Sequence, residues 1–384
     1  MLWINFLHIY QPANSENRQI KEAAEKSYAR LVRALKKNSR IKFTLNVTGC
    51  LLVRLEELGF KELINRIRAL SERGQIELVG SAMYHPLLPL IPEKEIMKQI
   101  QENEKVLKKY FPKIKLNGFF LPEMAYNEKV GRIIKKSGYK WIILDEVSYN
   151  GKLGQVDFNK VYKTKNDLKI IFRSRKFSQI YLPDHKSILK EKLVITATDG
   201  ELYGLRHIDP TGEFEKFLKE QSLKTQTVSE FINSKKSSTK INPLAASWET
   251  TEKEVKKNPF ALWQNKNNKI QKNLWLLSGL AYDTVEKFKQ DKKYEWARWH
   301  LDRGLASCTF WWASGRDFHK VFGPVSWGPD EIERGVNELI RAIRSLDDKK
   351  TKTIKLKAEK LHAKIRQMIW EEHWKKYWKR DESR

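Results

Sequence analysis

Two cysteines, Cys50 and Cys308, are too few for a disulfide framework or a cysteine-rich zinc site. No stretch reaches the roughly 18 consecutive apolar residues that a membrane span needs. Residues 1–12 lack both the cationic start and the small-residue cleavage site of a secretory leader, so a soluble cytoplasmic protein is the expectation. The eight histidines stand at 8, 85, 185, 207, 300, 319, 362 and 373 and never recur at a spacing of three or four. No helix therefore offers a ligand pair, and neither a metal nor a cofactor is expected. Gly-x-Gly-x-x-Gly and Walker A loops are missing as well, which removes the usual nucleotide cradles. Acidic residues are also scarce, with 47 Asp+Glu against 74 Lys+Arg and a net charge of +27 over 384 residues.

That charge permits nucleic-acid or acidic-surface binding. The excess is spread along the chain, however, and residues 349–384 hold 13 Lys/Arg and 5 Asp/Glu. No helix-turn-helix, zinc finger or Gly-rich RNA-binding motif accompanies it. Lysine predominates at most basic positions, which suits a solvated surface better than base readout. No specific nucleic-acid partner is expected. The aromatic load of 13 Trp, 13 Tyr and 17 Phe supports a large folded core.

Short β-rich runs at 2–7, 42–47, 76–80, 117–121, 140–144, 168–173 and 193–198 alternate with helical patterns such as 18–36, 52–72, 92–109 and 128–137. This is the rhythm of βα units with a parallel sheet buried on both faces. Seven such runs without a phosphate loop suggest a barrel rather than an open doubly wound sheet. Beyond about residue 259 no β-rich run recurs, and 268–289, 294–313, 330–347 and 351–377 read as helices. The expectation is an α/β fold in which a distorted parallel (β/α)7 barrel, residues 1–245, precedes a C-terminal α-helical bundle, residues 246–384, that completes the cleft.

A parallel barrel keeps its chemistry at the C-terminal ends of its strands. Polar residues do collect after these runs: His8 and Gln11, Tyr84 and His85, Glu123 and Tyr126, Asp145 and Glu146, Asp199 and Glu201. Glu123 follows Pro122, which fixes the chain's approach, and Asp199 precedes Gly200, which frees a turn. Two carboxylates facing one cavity are the equipment for glycosidic cleavage. Loop capping remains an equal reading of these two from spacing alone. His8, His85, Trp3, Tyr84 and Tyr126 suit a sugar site.

Four ordered runs carry a specific resemblance: His8-Ile9-Tyr10-Gln11-Pro12, Gly80 to Leu90 with Tyr84-His85-Pro86, Gly118-Phe119-Phe120-Leu121-Pro122-Glu123, and Asp199-Gly200-Glu201-Leu202-Tyr203-Gly204. They look like the motifs of glycoside hydrolase family 57, and Trp248-Glu249, Trp263 and Ser307 to Trp312 are similar to its helical region. The resemblance implies a (β/α)7 barrel and a retaining mechanism on α-linked glycans, with an α-1,4-glucan substrate weakly favoured. By motif position Glu123 is the implied nucleophile, Asp199 the implied acid/base, and His8 and His85 the implied sugar-binding histidines. Tyr10 stands where the commoner His-x-His-Gln-Pro start has its second histidine.

Asp145 and Arg173 are further substrate-contact candidates, with rim ion pairs as the alternative. Trp248 and Trp312 are candidate aromatic platforms, though tryptophan at helical spacing is more often core. Glu201 could orient Asp199 or bind a backbone group. Polysaccharide deacetylases, the rival enzyme class, need a metal held by a His-x-x-x-His pair that this sequence lacks. A non-catalytic glycan-binding protein on the same fold stays open as the second reading.

Overall fold

The computed structural model describes residues 1–318 and 325–378. The chain divides into two compact units, Met1–Met83 with Leu88–Pro259 and Tyr84–Leu87 with Phe260–Arg384. The strands of the first unit are β1 (Leu2–Ile9), β2 (Phe43–Val47), β3 (Ile76–Val79), β4 (Gly118–Phe119), β5 (Trp141–Asp145), β6 (Val161–Lys163), β7 (Lys169–Arg173), β8 (Leu193–Asp199), β9 (Lys224–Thr225) and β10 (Ser238–Lys240). They form two five-stranded sheets, one ordered β3-β2-β1-β8 with β9 on β1, the other β10-β6-β7-β5-β4. All pairs are parallel except β6 with β7.

β1 shows why these runs are strands. Every residue after Leu2 is buried, as a parallel strand covered on both faces requires. Its side chains alternate. Ile4 and Phe6 enter a core with Val79, Phe120, Trp141, Ile143, Ile171, Ile195 and Ala197, drawn from both sheets. Trp3, Leu7 and Ile9 turn the other way, toward Leu31, Leu35 and Leu51 of the surrounding helices. Each large side chain so buried contributes about 1.5–3 kcal/mol.

The expected continuous barrel ladder is not closed. The two sheets meet at two narrow seams instead. At one, Gly80 N donates to Gly118 O at 2.9 Å and Phe120 N to Gly80 O at 2.8 Å. At the other, Ser174 N donates to Ile195 O at 2.9 Å. The strands there are short for local reasons. A Cβ on Gly118 would lie 2.1 Å from the Trp141 ring and one on Gly80 2.1 Å from the Tyr139 hydroxyl, so backbone and ring already touch. β4 then ends in the Pro122–Met124 turn, and β7 passes into the helix Arg175–Ser178.

In the second unit the main helices are Lys269–Lys287, Tyr294–Gly304, Ser307–Trp311, Pro329–Arg344 and Lys352–Glu372. The pattern read as one helix over 294–313 is interrupted at Leu305 and Ala306. Ala306 pairs with Pro86 across an antiparallel bridge, and Ser307 N donates to His85 O at 2.9 Å. Gly304 lies under Leu339 and Gly335 under Thr309, close approaches that a Cβ would obstruct. No helix among the described residues is long and apolar enough to cross a membrane.

Candidate active site

β1 and β8 run side by side in register, so His8 and Asp199, at the ends of their strands, are direct Cα partners. His8 is buried, with Nδ1 2.7 Å from Asn46 Oδ1 on β2, and its ring stacks on Phe120 at 4.4 Å and on Tyr10 at 5.6 Å. Burial pushes the imidazole pKa down to about 4, against the opposing pull of the Asp199 charge. The ring is therefore neutral near pH 7.

Glu123 occupies the Pro122–Met124 turn that follows β4. Its φ is 59° and that of Met124 is 48°, two successive residues in the left-handed region. For side-chain-bearing residues this conformation costs roughly 1–2 kcal/mol each. Segment 246–250 holds the turn in place. Tyr126 N donates to Ala246 O at 2.8 Å, and Trp248 N donates to Glu123 O at 3.1 Å. The indole Nε1 of the same Trp248 donates to Glu123 Oε2 at 2.9 Å. Trp248 also meets the His8 ring edge-on at 6.1 Å, which links Glu123 to the partner of Asp199.

Asp199 ends β8 with its side chain partly open, and Arg206 Nη1 binds its Oδ2. Glu201 follows on the turn Gly200–Leu202 and is buried. It accepts from the Tyr28 hydroxyl and, at 3.1 Å, from Gln11 Nε2. Burial, reinforced by the Asp199 charge and opposed by Arg206, raises its pKa to about 7. The same burial, with Glu201 next to it, drives the Tyr28 hydroxyl well above its ordinary value. A compact group results: Asp199, Glu201, His8, Gln11, Tyr28 and Arg206, with Glu123 reached through Trp248.

Other candidates sit differently. Asp145, 1% exposed, is enclosed between two guanidiniums. Arg173 Nε donates to its Oδ2 at 2.8 Å and Arg175 Nη2 to its Oδ1 at 2.6 Å. Arg173 Nη1 continues to Ala197 O at 2.8 Å and Nη2 to Trp248 O at 3.1 Å, with the guanidinium 5.3 Å from the Trp248 ring centre. Tyr126 is buried against Gly131 and lines a cavity of about 220 Å³ with Glu128, Arg132 and Thr164. Burial lifts its hydroxyl to about 12. Trp3, at the opposite end of β1 from His8, is core: it packs edge-on against Phe43 and Phe217.

Tyr84, His85 and Trp312 belong to the second unit. His85 has a φ of 57°, and its Nδ1 lies 3.0 Å from Ser307 Oγ. Tyr84 lies under Arg303, 5.5 Å from the guanidinium, and Trp312 stands edge-on to Trp311 at 4.6 Å.

Sequence reasoning passed over Arg206, Tyr28 and Asn46. A polar Asn46 within the apolar β2 run was a usable signal. Arg206, a cation seven residues after Asp199, was a second one, whereas nothing local marked Tyr28, whose role depends on where Glu201 lies. Among the described residues, no three His, Cys, Asp or Glu side chains gather in a way that could hold a metal ion.

The chain is 25% identical over 214 residues to Alpha-amylase 1 of Dictyoglomus thermophilum, which covers 52% of this chain and 31% of that protein. It is 27% identical over 148 residues to a 4-alpha-glucanotransferase of Thermococcus litoralis, covering 37% of this chain and 22% of the relative. The chain thus spans about a third of these curated relatives or less. In fold, it superposes on a GH57-type branching enzyme from Pyrococcus horikoshii with a TM-score of 0.70, 16% identity and 94% of each chain covered. The model of glycosyl hydrolase family 57 matches residues 4–245, and the chain belongs to that family.

Proposed function

We propose that the protein is a retaining glycoside hydrolase or transglycosylase acting on α-linked glucans, with Glu123 as nucleophile and Asp199 as general acid/base. The observation that carries this reading is the link between the two carboxylates: the indole that donates to Glu123 meets the ring of His8, the ladder partner of Asp199. Relatives named as amylase and glucanotransferase support an α-1,4-glucan as substrate. The shared core and the two seams support a distorted seven-stranded barrel made of β1, β2, β3, β4, β5, β7 and β8. Residues 1–245 would form the catalytic part and 246–384 the helical domain.

In the first step the ionised Glu123 attacks the anomeric carbon while the glycosidic C–O bond breaks, and Asp199 gives its proton to the departing oxygen. The Trp248 N–H favours the charged form of Glu123 that this step requires. Asp199 is partly exposed and ion-paired with Arg206, which leaves its carboxyl open to the site. In the second step water or a sugar hydroxyl attacks the glycosyl ester and surrenders its proton to Asp199. Water completes hydrolysis; a sugar acceptor completes transfer.

Glu123→Ala is expected to abolish turnover of maltooligosaccharides, and added azide to restore part of it with a glycosyl azide as product. Starch and α-galactosides assayed beside them define the substrate class. Full activity of Glu123→Ala would overturn the assignment. Glycan binding by the wild type without any release or transfer would favour a non-catalytic protein.

A further inference from the structure

Arg173 is placed to touch both halves of the catalytic pair without touching either carboxylate. One end of its guanidinium holds the Trp248 carbonyl, and Trp248 in turn grips Glu123 by backbone and indole. The other end holds the carbonyl of Ala197, two residues before Asp199 on β8. Asp145 fixes the guanidinium from behind through Nε. It also gathers Arg175, whose Nη1 donates to Thr250 O at 2.9 Å at the far end of the same segment. All three side chains are buried.

We infer that Arg173, held by Asp145 with Arg175, is a positioning residue that sets the separation of Glu123 and Asp199 and acts on Glu123 through Trp248. The inference rests on the reading of those two carboxylates as the catalytic pair. In a glycosidase that separation decides the chemistry, about 5–5.5 Å for retention and roughly 6.5–9.5 Å where a water must fit between. The planar fork serves two diverging carbonyls and a carboxylate from three separate nitrogens, whereas an ammonium offers all its donors from one. The left-handed backbone at Glu123 makes the grip necessary, since an unheld turn relaxes toward ordinary φ values and carries the carboxylate with it. Trp248 is accordingly assigned to Glu123 rather than to a sugar face.

The test uses Trp248→Phe and Arg173→Lys in the full chain, with folding checked by thermal melting. Trp248→Phe keeps an aromatic ring against His8 and Phe120 while removing the donor and part of the ring. It is expected to lower kcat about 10- to 100-fold, the loss of one hydrogen bond to a charged group, with KM changed less than about twofold. The acid limb of its pH–rate profile moves upward, because the charged carboxylate has lost a donor. In a Glu123→Ala background rescued by azide, the same substitution has no further effect. Arg173→Lys lowers kcat in both backgrounds, since it also loosens the strand bearing Asp199. Wild-type kcat and pH profile in a folded Trp248→Phe, or an equal loss from it in the azide-rescued background, would overturn the inference while leaving the carboxylate assignment intact. Full activity of Glu123→Ala alone would remove that assignment, and the inference with it.

Discussion

His8 and Glu201 lie close to the same Asp199 charge, and burial drives their titrations in opposite directions. The His8 pKa falls from 6.5 to about 4. Below pH 6.5 the unfolded chain takes up a proton that the folded one refuses, so stability is lost as pH falls from 6.5 toward 4. The Glu201 pKa rises from 4.5 to about 7. Here the folded state holds the extra proton, so its contribution is complete below 4.5 and is lost as pH rises through 7. Each effect is on the order of a few kcal/mol. His8→Gln is expected to flatten the acid side of a Tm-against-pH curve, and Glu201→Gln to raise Tm at pH 8 while leaving it nearly unchanged at pH 4. An unaltered curve in either variant would contradict the burial argument for that residue.

At the scale of elements, the seams and the turns matter more than the strands. Gly118 has no room for a side chain against Trp141. Gly118→Ala is expected to lower stability by about 1–3 kcal/mol through overpacking, seen as a lower urea midpoint with the m-value unchanged. The same contacts explain what could be read from letters. The seven central runs were legible because burial on both faces leaves nearly continuous apolar stretches, as in β1. β10 was not, since Ser238–Lys240 is a short and mostly exposed edge. The break at Ala306 was invisible because its cause, the bridge to Pro86, lies over two hundred residues away in sequence. In the site, Glu123 and Asp199 stood out as acids at the ends of apolar runs. The ties of Arg173 to Ala197 and Trp248 join separate segments, and that of Arg206 to Asp199 spans seven irregular residues, so neither left a periodic trace.

For the whole molecule the governing number is the +27 net charge. Many acidic side chains are already paired on the surface, as in Lys26–Glu22, Arg66–Glu62 and Arg344–Glu359, so the surplus is cationic and mutually repelling. Exposed pairs contribute little each, whereas repulsion sums over the whole surface. Raising salt from about 10 mM to 150 mM shortens the screening length to about 8 Å. Tm is therefore expected to rise over that range at pH 7. A fall would mean that attractive pairs outweigh the surplus.

The narrow seams bear directly on the two acids of the first unit. Backbone bonds latch its two sheets beside the acids, on either side of a core that both sheets share. Phe120, whose amide closes one latch, is three residues from Glu123; Ile195, whose carbonyl closes the other, is four from Asp199. A substitution that weakens either seam is thus expected to be felt first at the acids, through Phe120 on one side and Ile195 on the other.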